Sequence, residues 1–229
     1  MTHVAAFDAA FARCPLIAIL RGVKPDEVEA IGEALVEAGF TLIEVPLNSP
    51  DPLDSIGRLA GRLKARAVVG AGTVLTTADV AAVAEAGGTM IISPNTNVEV
   101  VAAAAGAGLV SLPGFATPSE AFSALAAGAT ALKLFPAEAA SPAVLKALGA
   151  VVPGGTRLLP VGGIAPDNMA PWLAAGAAGF GLGSALYKPG MAEAKEKARM
   201  LDASTKLRRL NSGMGCLPDY EVFIGRVPR

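Results

Sequence analysis

One phrase of apolar and polar positions repeats along this chain. A short, almost continuously apolar run gives way to a turn of Gly, Pro, Asn or Thr. An Ala- and Glu-rich stretch with helical spacing then follows and stops at Ala-Gly. The stops fall at Ala38-Gly39, Ala86-Gly87, Ala107-Gly108, Ala127-Gly128 and Ala175-Gly176. A glycine just past a helix end accepts the left-handed conformation that closes the last turn. Helix starts are marked at Lys24-Pro25-Asp26-Glu27, Thr76-Thr77-Ala78-Asp79, Thr117-Pro118-Ser119-Glu120 and Ala165-Pro166-Asp167. Each combines a capping hydroxyl or a proline with acidic side chains near the positive end of the helix dipole.

The apolar runs predict strands over Leu16–Leu20, Thr41–Leu47, Ala67–Gly70, Thr89–Ser93, Leu109–Leu112, Ala131–Phe135, Arg157–Val161 and Gly179–Leu182. They lack the alternation of a half-exposed strand, as expected when both faces are buried. Eight such strands alternating with helices predict a single closed (β/α)8 TIM barrel over residues 1–201. An open doubly wound sheet competes, but it needs fewer strands or polar-faced edges, and neither is present. The remainder, 202–229, breaks the pattern. The last helix continues to about Leu210 and is followed by loop-forming Asn211–Gly215 and Leu217–Asp219. Tyr220–Arg226 has strand-like composition and no place in an eight-unit barrel.

Composition narrows the class. Hydrophobic residues make up 52 % and charged residues 17 %, enough for a large core and too apolar for disorder. A net charge of -1 gives no surface for nucleic acid or an anionic membrane. Every apolar run is broken well short of the ~18–20 residues that span a bilayer. The first residues, MTHVAAFDAAFARC, lack the charged start and apolar core of a secretory leader. Cys14 and Cys216, isolated from each other, fit a reducing cytoplasm. The one histidine, His3, lies in a segment expected to fray, which argues against a His-based metal site or a Ser-His-Asp triad.

Two charges stand where a barrel strand is apolar. Lys133 interrupts Ala131-Leu132-Lys133-Leu134-Phe135, and Glu44 interrupts Leu42-Ile43-Glu44-Val45-Pro46. Burial lowers a lysine's pKa and yields a neutral amine able to attack a ketone. A carboxylate beside it can shuttle protons. The alternatives are a lysine whose head reaches the barrel mouth as a plain structural charge, and an ion pair of Glu44 with Lys133 or Arg21. Arg21, closing the first strand, suits a substrate carboxylate or phosphate, or a surface salt bridge. Val161-Gly162-Gly163-Ile164 and Gly181-Leu182-Gly183-Ser184 follow strands seven and eight. There, backbone N–H groups and a following helix N-terminus commonly hold phosphate. Gly70-Ala71-Gly72-Thr73 and Ser93-Pro94-Asn95 end strands three and four and are candidates for contacting a small keto acid, or are simple turn and cap chemistry.

Taken together, Glu44-Val45-Pro46-Leu47-Asn48-Ser49, Val69–Leu75, Ile92–Asn95, Leu112-Pro113-Gly114, Leu132–Glu138 and Pro160–Ile164 resemble the aldolases of 2-keto-3-deoxy-6-phospho-sugar acids. The resemblance runs from about Pro15 to about Lys197. It implies a homotrimer that needs no metal or other cofactor and cleaves a phosphorylated keto-sugar acid to pyruvate and glyceraldehyde 3-phosphate. It implies Lys133 as the Schiff-base lysine, Glu44 as the general acid/base, and Arg21 and Thr73 as holding the pyruvate-derived end. Pro94 and Phe135 match pocket-wall positions, and Gly162, Gly163, Gly183 and Ser184 the phosphate site. Within the family, gluconate-type enzymes tend to carry Thr where this chain has Val161 and Arg where it has Asn48, so the resemblance is to the galactonate type. Valine donates no hydrogen bond to a sugar hydroxyl, a contact worth ~1–3 kcal/mol in discrimination between epimers. The competing readings are the gluconate-type aldolase, a phosphate-binding barrel isomerase or epimerase, and a catalytically silent oligomeric scaffold. The segment from about Asp202 departs from the family pattern.

Overall fold

The structure is a computed structural model describing residues 2–191 and 193–213. The strands are β1 (Leu16–Ile19), β2 (Leu42–Pro46), β3 (Val68–Gly72), β4 (Met90–Ile92), β5 (Val110–Leu112), β6 (Gly114–Phe115), β7 (Leu132–Leu134), β8 (Leu158–Pro160) and β9 (Phe180–Leu182). All their pairings are parallel, in the orders β5-β4-β3-β2-β1-β9 and β6-β7-β8. The two sheets form one ring. β5 and β6 are one run of chain interrupted at Pro113, which has no N–H to give the ladder, although its carbonyl still accepts from Lys133 N (2.9 Å). On the other side, a Val161–Gly181 bridge and the Ala178 N–H to Leu158 carbonyl bond (3.0 Å) join β8 to β9. The eight predicted strands are therefore present, the fifth in two pieces, and the open-sheet alternative falls.

Helices α1 (His3–Arg13), α2 (Val28–Glu37), α3 (Pro52–Leu63), α4 (Thr77–Glu85), α5 (Val98–Gly106), α6 (Pro118–Ala126), α7 (Pro142–Gly149), α8 (Met169–Ala174) and α9 (Glu193–Gly213) complete the fold. The Ala-Gly stops close α2, α4, α5, α6 and α8, with every one of the five glycines at positive φ. Thr76 with Asp79 and Thr117 with Glu120 form capping boxes at α4 and α6. Two starts shift later than expected. Glu27 first accepts from Lys24 N (3.0 Å) and Asn168 from Ala165 N (3.0 Å), so each chain makes a tight turn before α2 and α8 begin.

Side chains on a strand alternate between faces, and that alternation builds two cores. Leu16, Ala18, Ile43, Val45, Leu132, Leu134 and Leu158 point outward under the helices. Ile17, Leu42, Val68, Met90, Val110, Ala131 and Leu159 point into the barrel. The same parity turns Glu44, two residues after Leu42, and Lys133, two after Ala131, toward the interior. The first segment does not fray: α1 is capped by Thr2 and places Phe7, Ala10 and Phe11 in the inner core, closing the bottom of the barrel. Thr41 Oγ1 donates to the Ala10 carbonyl (2.7 Å), and Arg157 stacks on both phenyl rings while pairing with Asp8 (2.6 Å). Three apolar residues spaced i, i+3, i+4 make the stripe that this docking needs.

At the other end of the chain, α9 runs through Asn211, Ser212 and Gly213, three residues expected in a loop, and buries Met200, Ala203 and Leu207. The expected loop at Leu217–Asp219 and strand-like Tyr220–Arg226 lie outside the described residues. Among the described residues no helix is long and apolar enough to cross a membrane.

Candidate active site

Lys133 sits on β7 with 7 % of its surface exposed, and Glu44 on β2 with 2 %. Both face a cavity of about 390 Å³ at the C-terminal ends of the strands. Lys133 Nζ stands 4.7 Å from the centre of the Phe135 ring. Burial pushes the lysine pKa down, Glu44 opposes that shift, and Arg21 reinforces it. Burial pushes the Glu44 pKa up, against the pull of Lys133 and Arg21. Each charged form is therefore weakened by the dry site, and the neutral amine is brought toward the physiological range. Glu44 Oε2 is buried without a hydrogen-bond partner. Its space is made by Gly72: a Cβ there would lie 2.1 Å from Oε2 and 2.8 Å from the carboxyl carbon.

The rim carries the other candidates. Arg21 Nη1 donates to Asn48 Oδ1 (2.7 Å), and Ser49 Oγ accepts from Gly22 N (2.9 Å), so the loops after β1 and β2 hold each other. Thr73, just past β3, has φ 58°. A β-branched residue avoids that region, and such strain concentrates where a site dictates the backbone. Gly162 and Gly163 are both at positive φ, and a Cβ on Gly162 would lie 2.2 Å from Glu138 Oε2. The positive φ at both positions favours glycine there, and the Glu138 side chain fills the space beside them. No helix begins directly at either glycine turn. α8 waits until Met169, and after Gly183 the chain makes a short turn with Leu186 N and Tyr187 N bonded to the Gly183 carbonyl. The helix dipole expected to assist there is missing, which leaves the backbone N–H groups alone.

Of the predicted residues, Arg21, Glu44, Thr73, Lys133, Phe135, Val161, Gly162, Gly163, Gly183 and Ser184 line this one cavity. Pro94 does not; its carbonyl is packed where a Cβ on Gly114 would be, 2.2 Å away. Sequence reasoning missed Glu138, Tyr187 and Lys188, which also line it. Glu138 was visible only as part of a motif, and Lys188 sits in a loop whose path depends on packing. The arrangement gathers an amine, a carboxyl, a guanidinium and two glycine turns around one space large enough for a small sugar acid.

The model of the KDPG and KHG aldolase family matches residues 7–202. The chain is 49 % identical over 187 residues to a probable 2-dehydro-3-deoxy-6-phosphogalactonate aldolase of Rhizobium meliloti (strain 1021), covering 82 % of this chain and 88 % of that one. It is 48 % identical over 178 residues to the 2-dehydro-3-deoxy-6-phosphogalactonate aldolase of Escherichia coli (strain K12), covering 78 % and 87 %. A solved structure, native KDPGal, superimposes with a TM-score of 0.86 at 44 % identity, covering 87 % of this chain and 97 % of the other.

Proposed function

The chain belongs to the KDPG and KHG aldolase family, and on that premise we propose that it cleaves 2-dehydro-3-deoxy-6-phosphogalactonate to pyruvate and D-glyceraldehyde 3-phosphate through a Schiff base on Lys133. The observation that carries this reading is the buried amine and the buried carboxyl facing one cavity, each with its charged form disfavoured. Neutral Lys133 Nζ attacks the C2 ketone of the substrate. Glu44 relays protons so that the carbinolamine loses water and becomes an iminium. Glu44 then takes the C4 hydroxyl proton, the C3–C4 bond breaks, and its electron pair flows into the iminium to leave an enamine. The C4 fragment departs as the aldehyde. Protonation at C3 and hydrolysis of the imine release pyruvate and restore the amine.

Arg21, held by Asn48, receives the substrate carboxylate with Thr73 beside it, and Phe135 walls the pocket. The Gly162-Gly163 and Gly183-Ser184 turns receive the phosphate through backbone N–H groups. Val161 faces the cavity with no hydroxyl to offer a sugar, which favours the galactonate epimer. The protein assembles as a homotrimer. Exposed Leu75, Val98 and Phe122, on neighbouring segments around α4, α5 and α6, offer apolar surface for that contact. It works in the cytoplasm, where Cys14 stays a thiol, buried and with its pKa pushed up to about 11.

Incubation with pyruvate and borohydride, followed by peptide mass spectrometry, tests the mechanism. A stable adduct on Lys133, absent in Lys133→Met, is expected; a folded protein that takes no adduct refutes it. Comparing kcat/KM for the two C4 epimers tests the substrate, and a clear preference for the gluconate epimer would overturn it.

A further inference from the structure

A phosphorylated keto acid brings negative charge at both ends, and two of the three cations that line the cavity, Lys133 and Arg21, serve only one of them. Lys133 lies at the reacting carbon, and Arg21 is held on the β2 side by Asn48. The glycine turns present N–H dipoles but no full charge, and no helix begins at either. Glu138 makes the balance worse: its carboxylate lies against Gly162 and Gly163, so an anion seated there meets a like charge. The remaining cation among the cavity-lining residues is Lys188.

The backbone around Lys188 is fixed at a point where the residue lines the cavity. Leu186 N and Tyr187 N bond the Gly183 carbonyl (2.8 and 3.1 Å), and Met191 N bonds the Lys188 carbonyl (3.1 Å), winding residues 183–191 into two tight turns. On one side, Tyr187 Oη donates to Glu27 Oε1 (2.9 Å), which also accepts from Lys24 N. On the other, Pro189 packs against Gly22 so closely that a Cβ there would lie 2.8 Å from Pro189 Cγ. The loop after β9 is thus pinned to the loop after β1 at the residues flanking Lys188. Lys188 itself is exposed, and no ion pair engages it among the described residues.

We propose that Lys188 is a specificity-determining residue that binds the terminal phosphate of the substrate and offsets the charge of Glu138. The inference rests on the aldolase reading for its substrate, but not for its chemistry, which is recognition of a phosphate dianion by a positioned ammonium.

The test compares the wild type with Lys188→Met and Lys188→Arg in two measurements. The first is cleavage kinetics with the phosphorylated keto acid and with its dephosphorylated analogue. Lys188→Met is expected to raise KM for the phosphorylated substrate roughly tenfold, leave kcat within about twofold, and leave the dephosphorylated analogue unchanged, with Lys188→Arg restoring most of the loss. An equal loss on both substrates, or none, overturns the proposal. The second is titration with inorganic phosphate followed by NMR, which needs no turnover. Roughly tenfold weaker binding by Lys188→Met supports the proposal even if the protein proves not to be an aldolase. Equal binding by the two proteins, or none by the wild type, refutes it even if cleavage and the Lys133 adduct are found.

Discussion

Gly72→Ala puts a methyl group where Glu44 keeps its carboxylate. An alanine Cβ would lie 2.1 Å from Oε2, 2.8 Å from the carboxyl carbon and 3.2 Å from Oε1, so the carboxyl must retreat by roughly 1 Å to reach ordinary contact. The backbone resists moving instead, because Gly72 closes the β2–β3 ladder opposite Pro46 and its carbonyl accepts from Leu47 N (2.8 Å). If Glu44 carries the protons as proposed, a displacement of that size costs on the order of 100-fold, or about 2.7 kcal/mol of transition-state stabilisation. The expected result is a kcat about 100-fold lower with KM little changed, read by coupling pyruvate release to NADH oxidation. Stability falls too, by ~1–3 kcal/mol for overpacking, so circular dichroism must first show a folded protein at the assay temperature. Gly106→Ala is the control, since nothing lies within 4 Å of a Cβ on Gly106 in α5. In a Glu44→Ala background the Gly72 substitution has no carboxylate to displace and should cost little more. A Gly72→Ala protein with kcat within twofold of the wild type, or a full additional loss in the double variant, would show that the position of Glu44 does not control the rate.

Glu44 has a raised pKa in the fold, so its contribution to stability is complete below the ordinary carboxylate range and is lost as pH rises through the folded value. Glu44→Gln should therefore raise the melting temperature at pH 7, and the gain should vanish toward pH 4 while activity stays low; calorimetry across pH checks it. Lys133 carries the opposite shift, so adduct formation with pyruvate should slow as pH falls below its lowered pKa, and a rate independent of pH over the range where the fold is intact would contradict a neutral attacking amine. Phe7→Ala removes a fully buried ring from the plug beneath the barrel and should cost ~3–5 kcal/mol, a melting-temperature drop of roughly 10 °C by scanning calorimetry with the site untouched. Asn48→Ala releases Arg21 from its 2.7 Å hydrogen bond and should lower kcat/KM roughly tenfold; unchanged kinetics would mean that Arg21 needs no such support.

Much of this architecture is written locally. The Ala-Gly stops and the Thr-x-x-Asp and Thr-x-x-Glu starts act within one helical turn, so they can be read without knowing what packs nearby. The strands are legible because burial on both faces leaves a run of apolar residues that no exposed element would carry. Lys133 and Glu44 stand out for the same reason reversed: a charge in such a run is expensive, and strand parity turns both toward the interior.

What the sequence alone left open depended on distance across the fold. Whether α1 frays or plugs the barrel turned on Phe7 and Phe11 meeting the open bottom of the ring, a contact made with strands far along the chain. The split at Pro113 depended on which ladder its missing N–H would have served. Gly72 reads as a turn glycine until the Glu44 carboxylate, 28 positions earlier, is seen to fill its Cβ space. Lys188 and Glu138 are ordinary surface charges in sequence, and only the packing of Pro189 on Gly22 and of Glu138 on Gly162 brings them to the cavity rim. Local preferences act over a few bonds and are carried by residue type. The site is a juxtaposition of separate loops, and its geometry exists only once the ring has closed.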